Sequence, residues 1–210
     1  MTTLRSLIEQ AEFDIPETTI PKLQQYCELL WEKNKVMNLT RHTDFEHFVN
    51  RDLLDSIMVA KQLPDNADVL DIGSGGGVPG VVLKILRPDL NMTLCDSVGK
   101  KAQALREIAE KLDVELEVYH GRAENLLEDE RYDAVTARAV GSLAKLFRWL
   151  DGNWVNITKL LAIKGPKWRE ERLEAESARL MRYLQLKIVE RYPVPGEEWE
   201  SFILEIRSSR

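Results

Sequence analysis

A chain of 210 residues with two cysteines and three histidines has little from which to build a metal centre or a disulfide framework. Cys27 and Cys95 stand alone inside apolar segments, where buried free thiols are expected. His42, His47 and His120 are too scattered for a zinc-ligand spacing, so no metal is expected. No apolar run approaches the roughly 20 residues of a membrane span, so neither is a membrane partner. Residues 1–10 are amphipathic and carry an acid, which fits neither a secretory signal nor a transit peptide; the expected location is cytoplasmic. Positive charge is also short, with 29 Lys and Arg against 35 Asp and Glu and a net charge of −6. Such a chain does not coat nucleic acid by bulk attraction, although a local basic face remains open to it.

What the chain has is glycine concentrated in one place. An apolar run of strand type, Ala67 to Ile72, breaks into four glycines within residues 73–77 and resumes as a helical segment, Val81 to Leu86. Gly73, Gly75 and Gly77 allow positive φ and leave no Cβ above the loop, so a ligand can touch backbone N–H and C=O directly. Pro79 suits the first turn of the following helix, where its missing N–H costs nothing. Two cofactor classes use such loops. Gly75, Gly77 and Gly80 satisfy a dinucleotide fingerprint, with Asp96 about twenty residues on as a ribose partner. Asp71 favours the other class: a carboxylate at the strand end suits a cofactor bearing an ammonium and a sulfonium, and suits a pyrophosphate poorly. S-adenosylmethionine (SAM) is such a cofactor.

Residues 1–64 read as a helical extension and residues 65–210 as the main domain. Leu4, Leu7, Ile8 and Ala11 recur at helical spacing, and a second helix starting near Pro21 puts Leu23, Tyr26, Cys27, Leu30 and Trp31 on one core-facing stripe. A third helical region spans about residues 44–63; its Asp52 and Asp55 are expected in solvent or in caps. Beyond Pro64-Asp65-Asn66, strands alternate with helices: 91–95, 114–119, 132–136 and 160–163. That alternation implies a parallel sheet with ligands at the carboxyl ends of its strands. Asp96 stands where an acid can accept hydrogen bonds from ribose hydroxyls or cap the next helix. Ala123 and Glu124 stand where an amide and an acid can read an adenine edge. Arg122, Arg138, Lys164 and Lys167 all fall just past strand ends, which suggests a cationic rim. The segment 170–184 reads as a salt-bridged helix, in which Arg172, Arg179 and Arg182 could reach phosphate. Two final strands, 185–192 and 201–207, form a closing hairpin, the usual ending of a class I methyltransferase sheet. The expected fold is therefore α/β, a Rossmann-like class I SAM-dependent methyltransferase with a mostly parallel sheet, an antiparallel last strand and an N-terminal helical extension.

Asn38-Leu39-Thr40, Leu54-Asp55-Ser56, the run from Asp71 to Gly80 ending in Val-Pro-Gly, Asp96-Ser97, Arg122-Ala123-Glu124, Thr136-Ala137-Arg138-Ala139 and Ile163-Lys164-Gly165 together carry a resemblance over nearly the whole chain. The chain resembles the small-subunit ribosomal RNA guanine-N7 methyltransferases, the RsmG or glucose-inhibited division protein B family. The resemblance implies methylation of the N7 of one guanine in 16S rRNA of the 30S ribosomal subunit, with SAM as donor. By match to the family's motifs, Gly73, Val78, Ala123, Glu124 and Arg138 would contact the cofactor and Asp96 would hold the ribose, beside Asp71, Gly75 and Gly77. Two positions depart from the family: Asp52 stands where a histidine is frequent, and Trp199-Glu200-Ser201 where Arg or His often precedes the last strand.

Guanine N7 already carries a free lone pair, so methyl transfer to it needs no general base, and no residue is singled out as catalytic. Arg138 is expected to join the cofactor and substrate sides, with Lys164 as a second RNA contact and the protein acting as a monomer. The rival readings are a methyltransferase of proteins or small molecules, a SAM-binding regulator without catalysis, and a nicotinamide oxidoreductase. The last is separated by a thermal shift: SAM, and not NAD, is expected to raise the melting temperature.

Overall fold

The computed structural model describes residues 3–209. Helix α1 (Leu4–Gln10) starts from a capping box between Thr3 and Ser6, and α2 (Ile20–Asn34) carries Pro21 in its first turn. Asp44 caps α3 (Phe45–His47), which runs through a π-helical stretch (Phe48–Leu53) into α4 (Leu54–Ala60). The alternating part follows as β1 (Asp68–Ile72), α5 (Gly80–Leu86), β2 (Asn91–Asp96), α6 (Gly99–Leu112), β3 (Glu117–His120), α7 (Ala123–Asp129), β4 (Ala134–Arg138), α8 (Leu143–Trp149), β5 (Leu160–Lys164) and α9 (Trp168–Ser177). The hairpin of β6 (Leu184–Pro193) and β7 (Glu200–Ser208) completes it.

All seven strands form one sheet in the order β3-β2-β1-β4-β5-β7-β6. The first five run parallel, and β7 enters antiparallel between β5 and β6. The order reverses between β1 and β4, the switch point at which doubly wound sheets bind ligands. Several boundaries differ from the sequence expectation. The third strand begins only at Glu117, and Tyr132 makes an isolated bridge to Ile157 ahead of β4. The helix expected to reach residue 184 stops at Ser177, because Arg179 adopts φ 58° and the chain turns.

Helices cover both faces of the sheet, so its central strands are apolar without alternation. Along β1, Val69 packs into one core with Leu4, Leu23, Leu30, Val81 and Leu94, while Leu70 packs into the other with Leu146, Phe147 and Trp154. The N-terminal helices thus help to build the first of these cores. Cys27 and Cys95 are buried free thiols. No helix among the described residues is long and apolar enough to cross a membrane.

The extension also supports the glycine loop from behind. Asn34 Oδ1 accepts hydrogen bonds from the amides of Leu39 and Thr40, which turns the Asn-Leu-Thr segment inward. A Cβ on Gly76 would stand 3.1 Å from both the Leu39 carbonyl oxygen and the Leu30 side chain, so that glycine is needed for close packing. Tyr26, fully buried, donates its hydroxyl to the Gly76 carbonyl at 2.8 Å. Tyr26→Phe keeps the ring and strands that carbonyl without its donor; it is expected to cost about 1–3 kcal/mol, read from the urea midpoint.

Candidate cofactor and substrate site

The loop after β1 folds back onto β2. The amides of Gly73 and Ser74 donate to the Cys95 carbonyl at 2.8 and 3.1 Å, and the Ser74 hydroxyl donates to the Asp71 carbonyl at 2.8 Å. Gly73, Gly75 and Gly77 have φ of 66°, 56° and 100°, where a side chain is strained. Around a Cβ built on Gly75, the nearest atom is the Gly73 carbonyl oxygen at 3.7 Å, so the loop presents bare backbone to open space. Gly73 is confined differently: its Cβ would stand 2.1 Å from Val140 Cγ1, in the loop that follows β4. Val78 is half-buried next to this cradle.

Asp71 lies beneath the loop. Its Oδ1 accepts the Thr136 hydroxyl at 2.7 Å, while Oδ2 is buried under the backbone of Gly80 without a well-aligned donor. Burial, opposed by hydrogen bonding, pushes its carboxyl up to about 6. An incompletely paired carboxylate below bare backbone fits a cofactor that carries positive charge.

Asp96 ties three strand ends together. Its carboxylate, 5% exposed, accepts the amides of Gly75 at 2.9 Å and Val98 at 2.8 Å, and its carbonyl accepts the amide of Gly121 at 3.1 Å. The carboxylate thus anchors the loop and the start of α6 together, and two accepted bonds leave further lone-pair positions for a ribose. Ala123 and Glu124 open α7 just beyond Gly121, the first buried and the second half-buried. The residues expected around a cofactor therefore converge on one edge of the sheet.

Arg138 reaches toward the extension. Its Nη2 is 2.5 Å from Asp52 Oδ1 and its Nε 3.0 Å from Asp55 Oδ2. Asp52 Oδ1 also meets His42 Nδ1 at 2.8 Å, and Asp55 Oδ1 accepts the Tyr192 hydroxyl at 2.7 Å. Expected in solvent or in caps, Asp52 and Asp55 are instead only 2% and 4% exposed, because the guanidinium replaces the water each would lose. Burial pushes both carboxyls up; hydrogen bonds and charge from His42 and Arg138 overcome it at Asp52, which stays below the usual range, but Asp55 ends above it.

The cationic rim is correspondingly thinner than expected. Lys164 Nζ donates to the Gly141 carbonyl at 2.5 Å and to Glu171 Oε2 at 2.7 Å, and the same oxygen accepts the Leu143 amide at 2.9 Å. Lys164 and Glu171 thereby pin the loop 139–142, in which Ala139 and Gly141 have φ of 56° and 132° and Val140 overhangs Gly73. Arg122 and Lys167 remain exposed. Arg51 also lies at this edge, its guanidinium 4.6 Å from the centroid of the Trp199 ring beside Gly165 and paired with Glu197 at 3.5 Å. Sequence reasoning missed the pairings of His42, Arg51, Glu171 and Tyr192. Asp52 and Arg138 lie 86 residues apart, and Asp55 and Tyr192 137 apart, so no local spacing could signal them.

The strand order, the antiparallel β7 and the glycine loop facing an acid at the end of β2 define a class I SAM-dependent methyltransferase. Solved structures share the fold: a putative O-methyltransferase from Klebsiella pneumoniae (TM-score 0.59, 16% identity, 88% of this chain and 90% of that one) and M. capricolum TrmK in complex with S-adenosyl-homocysteine (TM-score 0.56, 15% identity, 74% and 68%). The chain belongs to the rRNA small subunit methyltransferase G (GidB) family, whose model matches residues 19–194. Ribosomal RNA small subunit methyltransferase G of Rhodopirellula baltica is 44% identical over 190 residues, covering 90% of this chain and 82% of that protein.

Asp71 gives this site a pH dependence of definite sign. Its folded value of about 6 exceeds that of an unfolded aspartate, so the folded state holds the proton more tightly. Stability is greatest below about pH 4 as far as this group is concerned, and falls by about 3 kcal/mol as pH rises through 6. The difference between wild type and Asp71→Asn in urea midpoint, followed from pH 4 to 7, should trace that decline. SAM affinity should fall below about pH 6 in wild type and stay level in the variant, measured by calorimetry.

Proposed function

We propose that the protein transfers a methyl group from SAM to the N7 of one guanine in the 16S rRNA of the 30S subunit. The observation that carries this reading is the match of residues 19–194 to a family described as rRNA small subunit methyltransferase G. When bound, the cofactor supplies a methyl group on a sulfonium. The chain's own part is to bind, to orient and to exclude water. In this reading Gly73, Gly75, Gly77 and Val78 offer backbone to the cofactor, Asp71 supplies opposite charge from below, Asp96 takes the ribose, and Ala123 and Glu124 take the adenine. Guanine N7 already carries a free lone pair, so this transfer needs no general base from the chain. Arg138, gripped by Asp52 and Asp55, sets the end of β4 against residues 1–64. The extension thus takes part in the site of the 65–210 domain. Lys164, bonded to Gly141 and Glu171, positions the loop 139–142 at the same edge at which an RNA contact was expected of it.

The test is transfer of labelled methyl from SAM to 30S subunits from cells lacking this protein, followed by digestion to nucleosides. Label in 7-methylguanosine is the expected outcome, with Asp96→Asn raising the KM for SAM by about tenfold or more. Label in another nucleoside, or none while SAM still binds, overturns the assignment.

A further inference from the structure

Away from the strand carboxyl ends, the end of α9 and the start of β6 enclose a groove of about 570 Å³, lined by Arg172, Arg179, Arg182 and Lys187 against one acid, Glu176. Arg172 pairs with Glu176 at 2.8 Å. Arg179 and Arg182 are exposed and make no ion pair among the described residues, while Lys187, also exposed, stands opposite Glu205 of β7. In a chain whose acids outnumber its bases 35 to 29, such a local positive excess runs against the composition.

The backbone at Arg179 is a second, independent observation. After α9 the amide of Leu180 bonds to the Ala175 carbonyl at 3.0 Å and that of Arg179 to the Glu176 carbonyl at 2.9 Å, with Arg179 at φ 58°. This is a Schellman turn, and its left-handed position normally holds glycine. Here that position carries a long cationic side chain into the groove, at a conformational cost that glycine would avoid.

We infer that this groove binds the phosphate backbone of the RNA substrate, away from the nucleotide being methylated. The inference rests on the function proposed above and adds a second contact to it. Guanidinium forks match phosphate oxygens in pairs, and Arg179 and Arg182, exposed side by side with no acid paired to either, attract a polyanion. Helix α9 starts beside the end of β5, and its ten residues rise about 15 Å, so one structured RNA can reach both the site and the groove.

Arg179→Gly separates this role from a structural one, because it relieves the left-handed residue while removing a charge. Its melting temperature should hold or rise, while the KM for 30S subunits rises several-fold. The slope of log affinity against log salt should shrink by about one per cation removed. Arg182→Gln/Lys187→Gln should act the same way, with the KM for SAM and kcat at saturating 30S unchanged. If wild type methylates 16S rRNA and both variants keep its KM and salt slope, the groove is not an RNA contact. The same conclusion follows if β6, the edge strand, captures a peptide with salt-insensitive affinity while the variants bind 30S normally. Absence of methyl transfer by wild type would instead overturn the functional reading, and this inference with it.

Discussion

The half-buried guanidinium of Arg138, held by two buried carboxylates, is the interaction on which the rest of this structure depends. It lies between Asp52 and Asp55, so the end of β4 is bound to the wide π-helical turn of the extension. Through Asp55 and the Tyr192 hydroxyl the same cluster reaches the end of β6, and through Asp52 it reaches His42. Removing one partner from such a cluster leaves a buried charge uncompensated, at roughly 3–5 kcal/mol, so the elements are held in one arrangement. That rigidity matters because a methyl transfer in line needs sulfur, methyl and acceptor aligned.

A second constraint runs through the glycine loop. Its bare backbone is useful only if it is held still, and it is held from two sides: Asp96 takes the Gly75 amide at the mouth, and Tyr26 takes the Gly76 carbonyl from beneath. Asp71 works in the opposite direction. A buried carboxylate with an unpartnered oxygen destabilises the folded chain at neutral pH, and in the function proposed above it would supply negative charge beneath a cationic cofactor. In that reading stability and binding would be opposed at this residue, a common pattern where a site departs from the rules of the core around it.

The charge layout follows the same division of labour. Of the four cations placed by strand alternation at one edge, Arg138 and Lys164 turned inward to neutralise acids and fix loops. The cations left exposed near the edge are fewer, and a denser group lies at the far end of α9. A strand-end position says where a residue begins; it does not say whether its side chain meets solvent or a carboxylate from another element.

Local chemistry was legible from the chain alone. The alternation of strand and helix, the glycine run after Ile72, the acids at 71 and 96, the helical stripe bearing Tyr26 and the closing hairpin all depend on neighbours a few residues away, and each led to the element or strand end that the structure contains. Resemblance over the whole chain added the family. What the chain alone did not disclose was every contact between distant segments: the burial of Asp52 and Asp55, the pinning of loop 139–142 by Lys164 and Glu171, and the approach of Arg51 to Trp199. The reason is physical. Backbone preference and hydrophobic period are set by adjacent residues, whereas the protonation, exposure and partner of an ionisable side chain are set by whichever charges the folded sheet brings within a few ångströms.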